Sequence, residues 1–105
     1  MNGSGPDRAI LARAVASAIS AVSGVARMSP GWGVQVGTQH PGGTVVGVSL
    51  LEDAVVAHIV LDRLPVIEVT DPALAAAQAA LRALGDPRPV EVVVDDIVVE
   101  AFGDG

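Results

Sequence analysis

The chain has 105 residues, of which 50% are hydrophobic, and its 12 acidic and 6 basic residues give a formal net charge of −6. This length and apolar content fit a single domain, residues 1–105, with its own hydrophobic core, and they exclude an intrinsically disordered chain. Because cysteine is absent, disulfides, thiol nucleophiles and cysteine-based zinc sites are excluded, and the acidic balance disfavours binding to nucleic acid or anionic lipid.

The first segment, residues 1–7, is polar and contains two glycines, so we expect a flexible lead. It lacks the cationic start of a secretory signal peptide. The apolar stretch over residues 9–22 is interrupted by Arg13 and is shorter than the roughly 20 residues that a membrane-spanning helix needs. We therefore expect a cytoplasmic protein without direct membrane insertion.

A first helix is predicted over residues 7–23. Asp7 can accept hydrogen bonds from the free amides of the first turn, and Gly24 lies where a left-handed residue commonly follows a helix. Spacings of four, three and four residues between apolar side chains predict a stripe that packs on another element. This stripe consists of Leu11, Val15, Ala18 and Val22.

The middle of the chain predicts strands. Glycine and proline break any helix over residues 25–36, and residues 34–36 are typical of a short edge strand. Residues 45–51 and 54–61 predict two longer strands, which Glu52 and Asp53 join as a hairpin.

A second helix follows. Pro65 ends the preceding strand, and Thr70 or Asp71 can cap a helix that has Pro72 in its first turn, where a missing amide is tolerated. Gly85 ends this helix. Its apolar stripe consists of Leu74, Ala77, Leu81 and Leu84.

Residues 90–99 predict a final strand, with a bend or bulge at Asp95 and Asp96, and residues 103–105 form a flexible tail. The element order α-β-β-β-α-β predicts an α+β fold. Its simplest form is a two-layer sandwich, in which two helices pack on one face of a three- or four-stranded, mainly antiparallel sheet.

Alternation along the strands predicts which side chains face the helices. The inward set is Val46, Val48, Leu50, Val55, Ala57, Ile59, Leu61, Val90, Val92 and Val94. The opposite side, which we name the reverse face, is more apolar than a fully solvated surface and predicts a contact site. The candidate interaction residues, including one tryptophan from a loop, are Val45, Val56, His58, Val60, Val93 and Trp32. Scattered surface valines are also ordinary in strands, and Trp32 can instead pack over an edge of the core.

No pattern typical of catalysis is present. His40 and His58 are the only imidazoles, and they lack the short spacing of a metal site. Adjacent acids such as Asp95 and Asp96 point to opposite faces of a regular strand, so they do not form a paired acid and base. Two aromatic residues are too few for an RNA-stacking platform. We therefore predict no catalytic, cofactor-binding or metal-binding residues and no nucleic-acid partner.

Three segments carry a family resemblance. The first helix reads Ile-Leu-Ala-Arg-Ala-Val at residues 10–15 and leads into Val-Ser-Gly-Val at 22–25. The last strand reads Pro-Val-Glu-Val-Val-Val-Asp-Asp-Ile at 89–97. Over residues 9–98 the chain resembles the alkaline shock protein family, the envelope stress response proteins of Gram-positive bacteria, in a short actinobacterial-like form.

The resemblance implies a non-enzymatic cytoplasmic protein that sits beneath the membrane through a membrane-anchored partner. We expect an interaction protein that forms homo-oligomers through its sheet, docks to such a partner, or does both. The alternative is a small-ligand sensing or regulatory α/β domain, because helix-backed sheets often pair and bind ligands at the seam.

Overall fold

A computed structural model describes residues 7–31, 37–40 and 43–99 of the chain. These residues form two helices and six strands in a mixed α+β fold. The fold class and the two helices are as predicted, whereas the sequence predicted four strands. The helices are α1 (Arg8–Ser20) and α2 (Ile67–Ala83). The strands are β1 (Val25–Met28), β2 (Gly37–His40), β3 (Gly43–Val46), β4 (Val48–Leu50), β5 (Val55–Leu61) and β6 (Val90–Ile97).

The main sheet is built around β5. Along its whole length β5 pairs in parallel with β6. Its other edge is shared by two short antiparallel strands, with β4 against residues 55–57 and β1 against residues 59–61. Two of the three pairings are antiparallel, so the predicted mainly antiparallel sheet is confirmed. The strands β2 and β3 pair with each other in a separate antiparallel hairpin, whereas the predicted strand over residues 34–36 lies outside the described residues.

The second predicted strand is interrupted at Gly47, whose φ is +89°. A Cβ atom there would lie 2.9 Å from Met28 Cβ and 3.0 Å from the carbonyl oxygen of His58, so this close approach requires glycine. The chain therefore forms β3 and β4 in place of one strand, and the alternation changes side. Val46 is 37% exposed and Val45 packs against the core, so the predicted faces of these two residues are wrong.

One apolar core joins both helices to the same face of the sheet, as predicted. Its buried members are Leu11, Ala12, Val15 and Ile19 of α1, Val69, Ala73, Ala77 and Leu81 of α2, and Val48, Leu50, Val55, Ala57, Ile59, Leu61 and Val90 of the sheet. Every second residue of β5 belongs to this core, which confirms the predicted inward face of that strand.

The predicted ends of α1 are partly confirmed. The Asp7 side chain accepts a hydrogen bond from the Ile10 amide at 3.0 Å and so caps the first turn. The helix ends at Ser20, three residues earlier than predicted. Gly24 has a φ of +99°, and a Cβ atom there would lie 2.6 Å from Val69 Cγ2, so this glycine lets α2 approach the end of α1.

The predicted start of α2 is wrong. The helix begins at Ile67 and not at a cap formed by Thr70 or Asp71, so Pro72 lies inside the helix. An interior proline costs about 3 kcal/mol. The burial of Val69, which is 1% exposed, and of the alanines that follow on the same stripe offsets a loss of this size. Core packing therefore makes α2 begin before Thr70 and Asp71, the residues at which the sequence predicted its start.

The bulge predicted in the last strand is confirmed. Ile59 pairs with Val94, but the next residue of β5, Val60, pairs with Asp96. Asp95 is therefore an extra residue in β6, and two residues of β6 oppose one residue of β5. Since a bulge changes the direction of the side chains that follow it, the two aspartates are not placed as in a regular strand.

Candidate interaction site

Four of the six predicted interaction residues lie on the reverse face of the sheet. They are Val56, His58 and Val60 of β5, which alternate with the core side chains, and Val93 of β6, which is the register partner of His58. Val45 packs against the core instead, and Trp32 lies outside the described residues. The exposures of the four differ, so the reverse face is not one uniform surface.

Val60 is covered, contrary to the prediction. Its side chain is 2% exposed, although it does not belong to the core between the sheet and the helices. It lies in the wall of a half-open pocket of about 180 Å³ on the reverse face. The other lining residues are Arg27, Ser29, Pro30, Gly31, Asp95 and Asp96. The segment that follows β1 therefore covers part of the surface that the sequence predicted to be open.

Three polar side chains meet beside this pocket, and we name them the Asp95 cluster: Ser29, His58 and Asp95. The Ser29 hydroxyl donates a hydrogen bond of 2.7 Å to Asp95 Oδ2, and His58 Nδ1 lies 3.1 Å and 3.2 Å from the two carboxylate oxygens. The Ser29 amide donates to the carbonyl oxygen of His58 at 2.8 Å, and the Gly31 amide donates to the Ser29 hydroxyl at 3.1 Å. The cluster thus ties the end of β1 to β6 across β5.

The Asp95 carboxyl is largely buried, with 7% of its side chain exposed, whereas His58 is 20% exposed. Burial alone raises the pKa of Asp95, because a charged carboxylate loses solvation. The hydrogen bonds from Ser29 and His58, together with the charge of His58, outweigh this and hold the pKa below its ordinary value of 3.8. Asp95 is therefore ionised at neutral pH.

The order of these groups does not suit nucleophilic catalysis. In a catalytic triad the imidazole lies between the serine and the carboxylate, because it takes the serine proton. Here the carboxylate of Asp95 lies between Ser29 and His58. Over the described ranges, no three His, Cys, Asp or Glu side chains are grouped so that they could hold a metal ion. What the contacts of the cluster do show is a structural tie between the end of β1, β5 and β6.

Regular alternation along β5 and β6 puts His58 and Asp95 on the same face of the sheet, but it does not predict their contact. Ser29 was not among the predicted site residues, because the sequence did not predict β1, the strand that brings this residue to the reverse face. The same alternation predicted Asp95 and Asp96 on opposite faces, and this is wrong, since both line the same pocket. The predicted bulge was the signal that could have corrected this, because a bulge breaks strict alternation.

Apart from the Asp95 cluster, the ion pair between Arg88 and Asp86 fixes the start of β6. The Arg88 guanidinium contacts the Asp86 carboxylate at 2.6 Å and donates to the carbonyl oxygen of Leu51 at 2.7 Å. The hydrogen bonds from Arg88 hold the pKa of Asp86 below its ordinary value. The Val55 amide also donates to the Pro89 carbonyl at 2.9 Å. These contacts join the β4–β5 turn to β6, so that β6 is held at a defined position on the sheet.

The outer side of β6 pairs with no strand in the part of the chain that the structure describes. Several side chains along it and just after it are exposed, and we name them the β6 edge. They are Glu91, Val93, Asp96, Ile97, Val98 and Val99. The four apolar members are 36–49% exposed. The β6 edge is therefore an exposed strand that combines apolar and acidic side chains.

Comparison with known proteins gave no match, whether the chain was compared with protein families, with characterised proteins or with solved structures. Within the described residues, neither helix has the length and the hydropathy needed to cross a membrane.

Proposed function

We propose that this chain is a non-enzymatic interaction protein that binds a partner protein along the β6 edge. The observation that carries the proposal is an eight-residue edge strand with exposed apolar side chains. Such a strand presents unpaired backbone amides and carbonyls, which are a template for pairing with another chain. Apolar area that stays exposed next to such an edge supports the same use.

The charge of the β6 edge favours a different protein over a second copy of this chain. Residues 90–99 contain Glu91, Asp95 and Asp96 and no arginine. Two β6 strands side by side would bring six carboxylates close together, and like charges on neighbouring strands are destabilising. The homo-oligomer expected from the sequence stays a prediction, which sedimentation of the purified chain tests.

The family resemblance supports the cellular location and the kind of partner in this proposal. It favours a cytoplasmic protein of the envelope stress type whose partner is membrane-anchored. In this proposal, contact with the membrane comes through the partner and not through the chain itself.

The alternative of small-ligand sensing has less support. Pockets that bind small molecules usually enclose about 300–1,000 Å³. The pocket on the reverse face measures about 180 Å³ and is half-open. It therefore offers room for one side chain and little more, so this pocket does not favour small-ligand sensing.

The proposal is tested by removing the apolar character of the β6 edge. Val93→Asn combined with Val98→Asn changes two exposed side chains without adding charge, and Ile10→Asn combined with Leu51→Asn is the matched control at exposed positions elsewhere. Cross-linking in cells, followed by mass spectrometry, compares the proteins bound by the two variants and the wild type. We expect a partner that the wild type and the control retain and the edge variant loses.

An identical set of bound proteins for all three chains contradicts the proposal. Sedimentation of the purified proteins is the second measurement. If the wild type sediments as a dimer and the edge variant as a monomer, a second copy of the chain occupies the edge, and the proposed partner is wrong.

A further inference from the structure

We infer that the partner contributes an extended strand, which pairs with β6 and places one lysine or arginine side chain in the pocket beside Asp96. This inference rests on the proposed function, because it names the partner segment that the β6 edge accepts. It follows from three features: the open backbone of β6, the position of the pocket and the charges around it.

On its outer side β6 pairs with no strand of the described residues, although the Ile97 amide already donates to Asp96 Oδ1 at 2.8 Å. The inner side of β6 pairs with β5 from Val90 to Ile97. Peptide segments that bind to such open edges do so as an added strand, with main-chain hydrogen bonds for affinity and side-chain pockets for specificity. The exposed side chain of Val93 gives an added strand an apolar contact near the middle of β6.

The pocket lies within reach of an added strand. Asp95 and Asp96 belong both to β6 and to the pocket lining, and Val60 lies one strand further in. Neighbouring strands are about 4.8 Å apart, so a long side chain on an added strand can cross β6 and enter the pocket. Shorter side chains would stop at β6 itself.

The lining of the pocket suits a long cationic side chain. Pro30 is exposed and offers apolar contact for an aliphatic stem. Asp96 is also exposed; its Oδ1 accepts a hydrogen bond from the Ile97 amide at 2.8 Å, and its second carboxylate oxygen can accept one from a charged head group. Lysine and arginine bury their stems against apolar surface and keep the charge near water in this way. The volume of about 180 Å³ limits the occupant to one such group.

The charges around the pocket set its preference. Asp95 and Asp96 contribute two negative charges and Arg27 contributes one positive charge, while His58 adds a positive charge only when protonated. Over the described lining residues, and with neutral His58, the formal sum is −1, so one cation is favoured and an acidic side chain is repelled. Arg27 weakens the attraction for a cation, so its removal should strengthen binding.

Short labelled peptides test this inference directly. The probe has nine residues of alternating valine and threonine with one central lysine. Its matched controls carry norleucine or glutamate in place of the lysine, and a fourth peptide has N-methyl groups that block strand pairing. Fluorescence anisotropy measures the Kd of each peptide, and amide chemical shifts in NMR spectra locate the bound peptide on the chain.

We expect the lysine peptide to bind the wild type about 3-fold more tightly than the norleucine peptide, as for a partly exposed ion pair. Asp96→Asn should remove this difference and Arg27→Gln should increase it. Glu52→Gln, at an exposed acid in the β4–β5 turn, is the control and should leave it unchanged. The affected amides should lie in β6 and around Val60.

The possible failures are distinguishable. Equal binding of the lysine and norleucine peptides to every variant overturns the role of the pocket and leaves strand pairing at β6 in place. No binding at millimolar peptide, or equal binding of the N-methylated peptide, overturns the added strand. The proposed function is then judged by the cross-linking comparison, which does not depend on these peptides.

Discussion

Replacing Asp95 by asparagine tests whether the Asp95 cluster holds the reverse face together. The substitution removes the negative charge but keeps one carbonyl oxygen and nearly the same shape. The Ser29 hydroxyl at 2.7 Å and His58 Nδ1 at 3.1 Å would then face a neutral amide. Any change in stability therefore reports mainly on the charge of Asp95, and only slightly on packing.

The expected effect is large for one side chain. A hydrogen bond to a charged group contributes about 1.5–3 kcal/mol, whereas one between neutral groups contributes about 1 kcal/mol. The contacts from Ser29 and His58 are both of this kind, so their weakening alone should lower the free energy of unfolding by about 2 kcal/mol at pH 7. For a domain of this size the corresponding decrease in Tm is about 8–16 °C.

The effect must depend on pH in one direction. The pKa of Asp95 is held below 3.8 in the folded state, so the folded state favours the ionised form. This stabilisation is fully present above about pH 5 and is lost as the pH falls through the lowered pKa. The asparagine variant lacks it, so the two proteins should become more similar in stability as the pH falls. Asp86, whose pKa is also lowered, is present in both proteins, so its contribution to the stability difference between them cancels.

Urea unfolding, followed by circular dichroism at pH 7, 5 and 3, measures this difference. Asp53→Asn is the control, because Asp53 is an exposed carboxylate in the β4–β5 turn and its loss should change stability by less than about 0.5 kcal/mol. If Asp95→Asn is as stable as the wild type at pH 7, or if the difference is the same at pH 7 and pH 3, the reasoning is wrong.

Two further predictions concern the fold that positions the site, and both are checked by urea unfolding at pH 7. Gly47→Ala should destabilise the protein by about 2–3 kcal/mol, because its Cβ atom would lie 2.9 Å from Met28 Cβ; Gly85→Ala, also at positive φ but with no atom within 4 Å, should lose only about 1 kcal/mol. Leu81→Ala should lose about 2–5 kcal/mol, because Leu81 is fully buried, whereas Leu64→Ala, at a 61% exposed position, should change stability by less than about 0.5 kcal/mol. Equal losses within either pair would contradict the packing described here.

Local signals predicted the parts of the fold that depend on local contacts. Asp7 caps α1 through an amide three residues away, and Gly24 takes the left-handed conformation expected after a helix. The alternation of β5 predicted its inward face, because that strand is regular along its length. The first two features depend on residues close in the sequence, and the third follows from the two-residue period of a β-strand.

The errors occur where distant contacts decide the structure. In the sequence, the alternation of side chains over residues 45–51 is continuous. In the structure Gly47 interrupts it, because Met28 and His58 approach the Gly47 backbone. Helix α2 begins before Pro72, because Val69 packs in the core. The candidate site shows the same limit, since the pairing of His58 with Asp95 depends on the parallel placement of β5 and β6. Nothing local to either residue specifies that placement.

The bulge at Asp95 connects the structural tie with the proposed binding site. In a regular parallel pairing after Val94, Asp95 would oppose Val60 and Asp96 would oppose Leu61, which is fully buried on the helix side. The Asp96 carboxylate opposite Leu61 would then face the core, and its loss of solvation would cost much free energy. The extra residue instead brings Ile97 opposite Leu61 and leaves both aspartates at the reverse face, where one anchors Ser29 and His58 and the other stays exposed. The same irregularity therefore protects the core, fixes the segment after β1 and places a negative charge beside the open edge of the sheet.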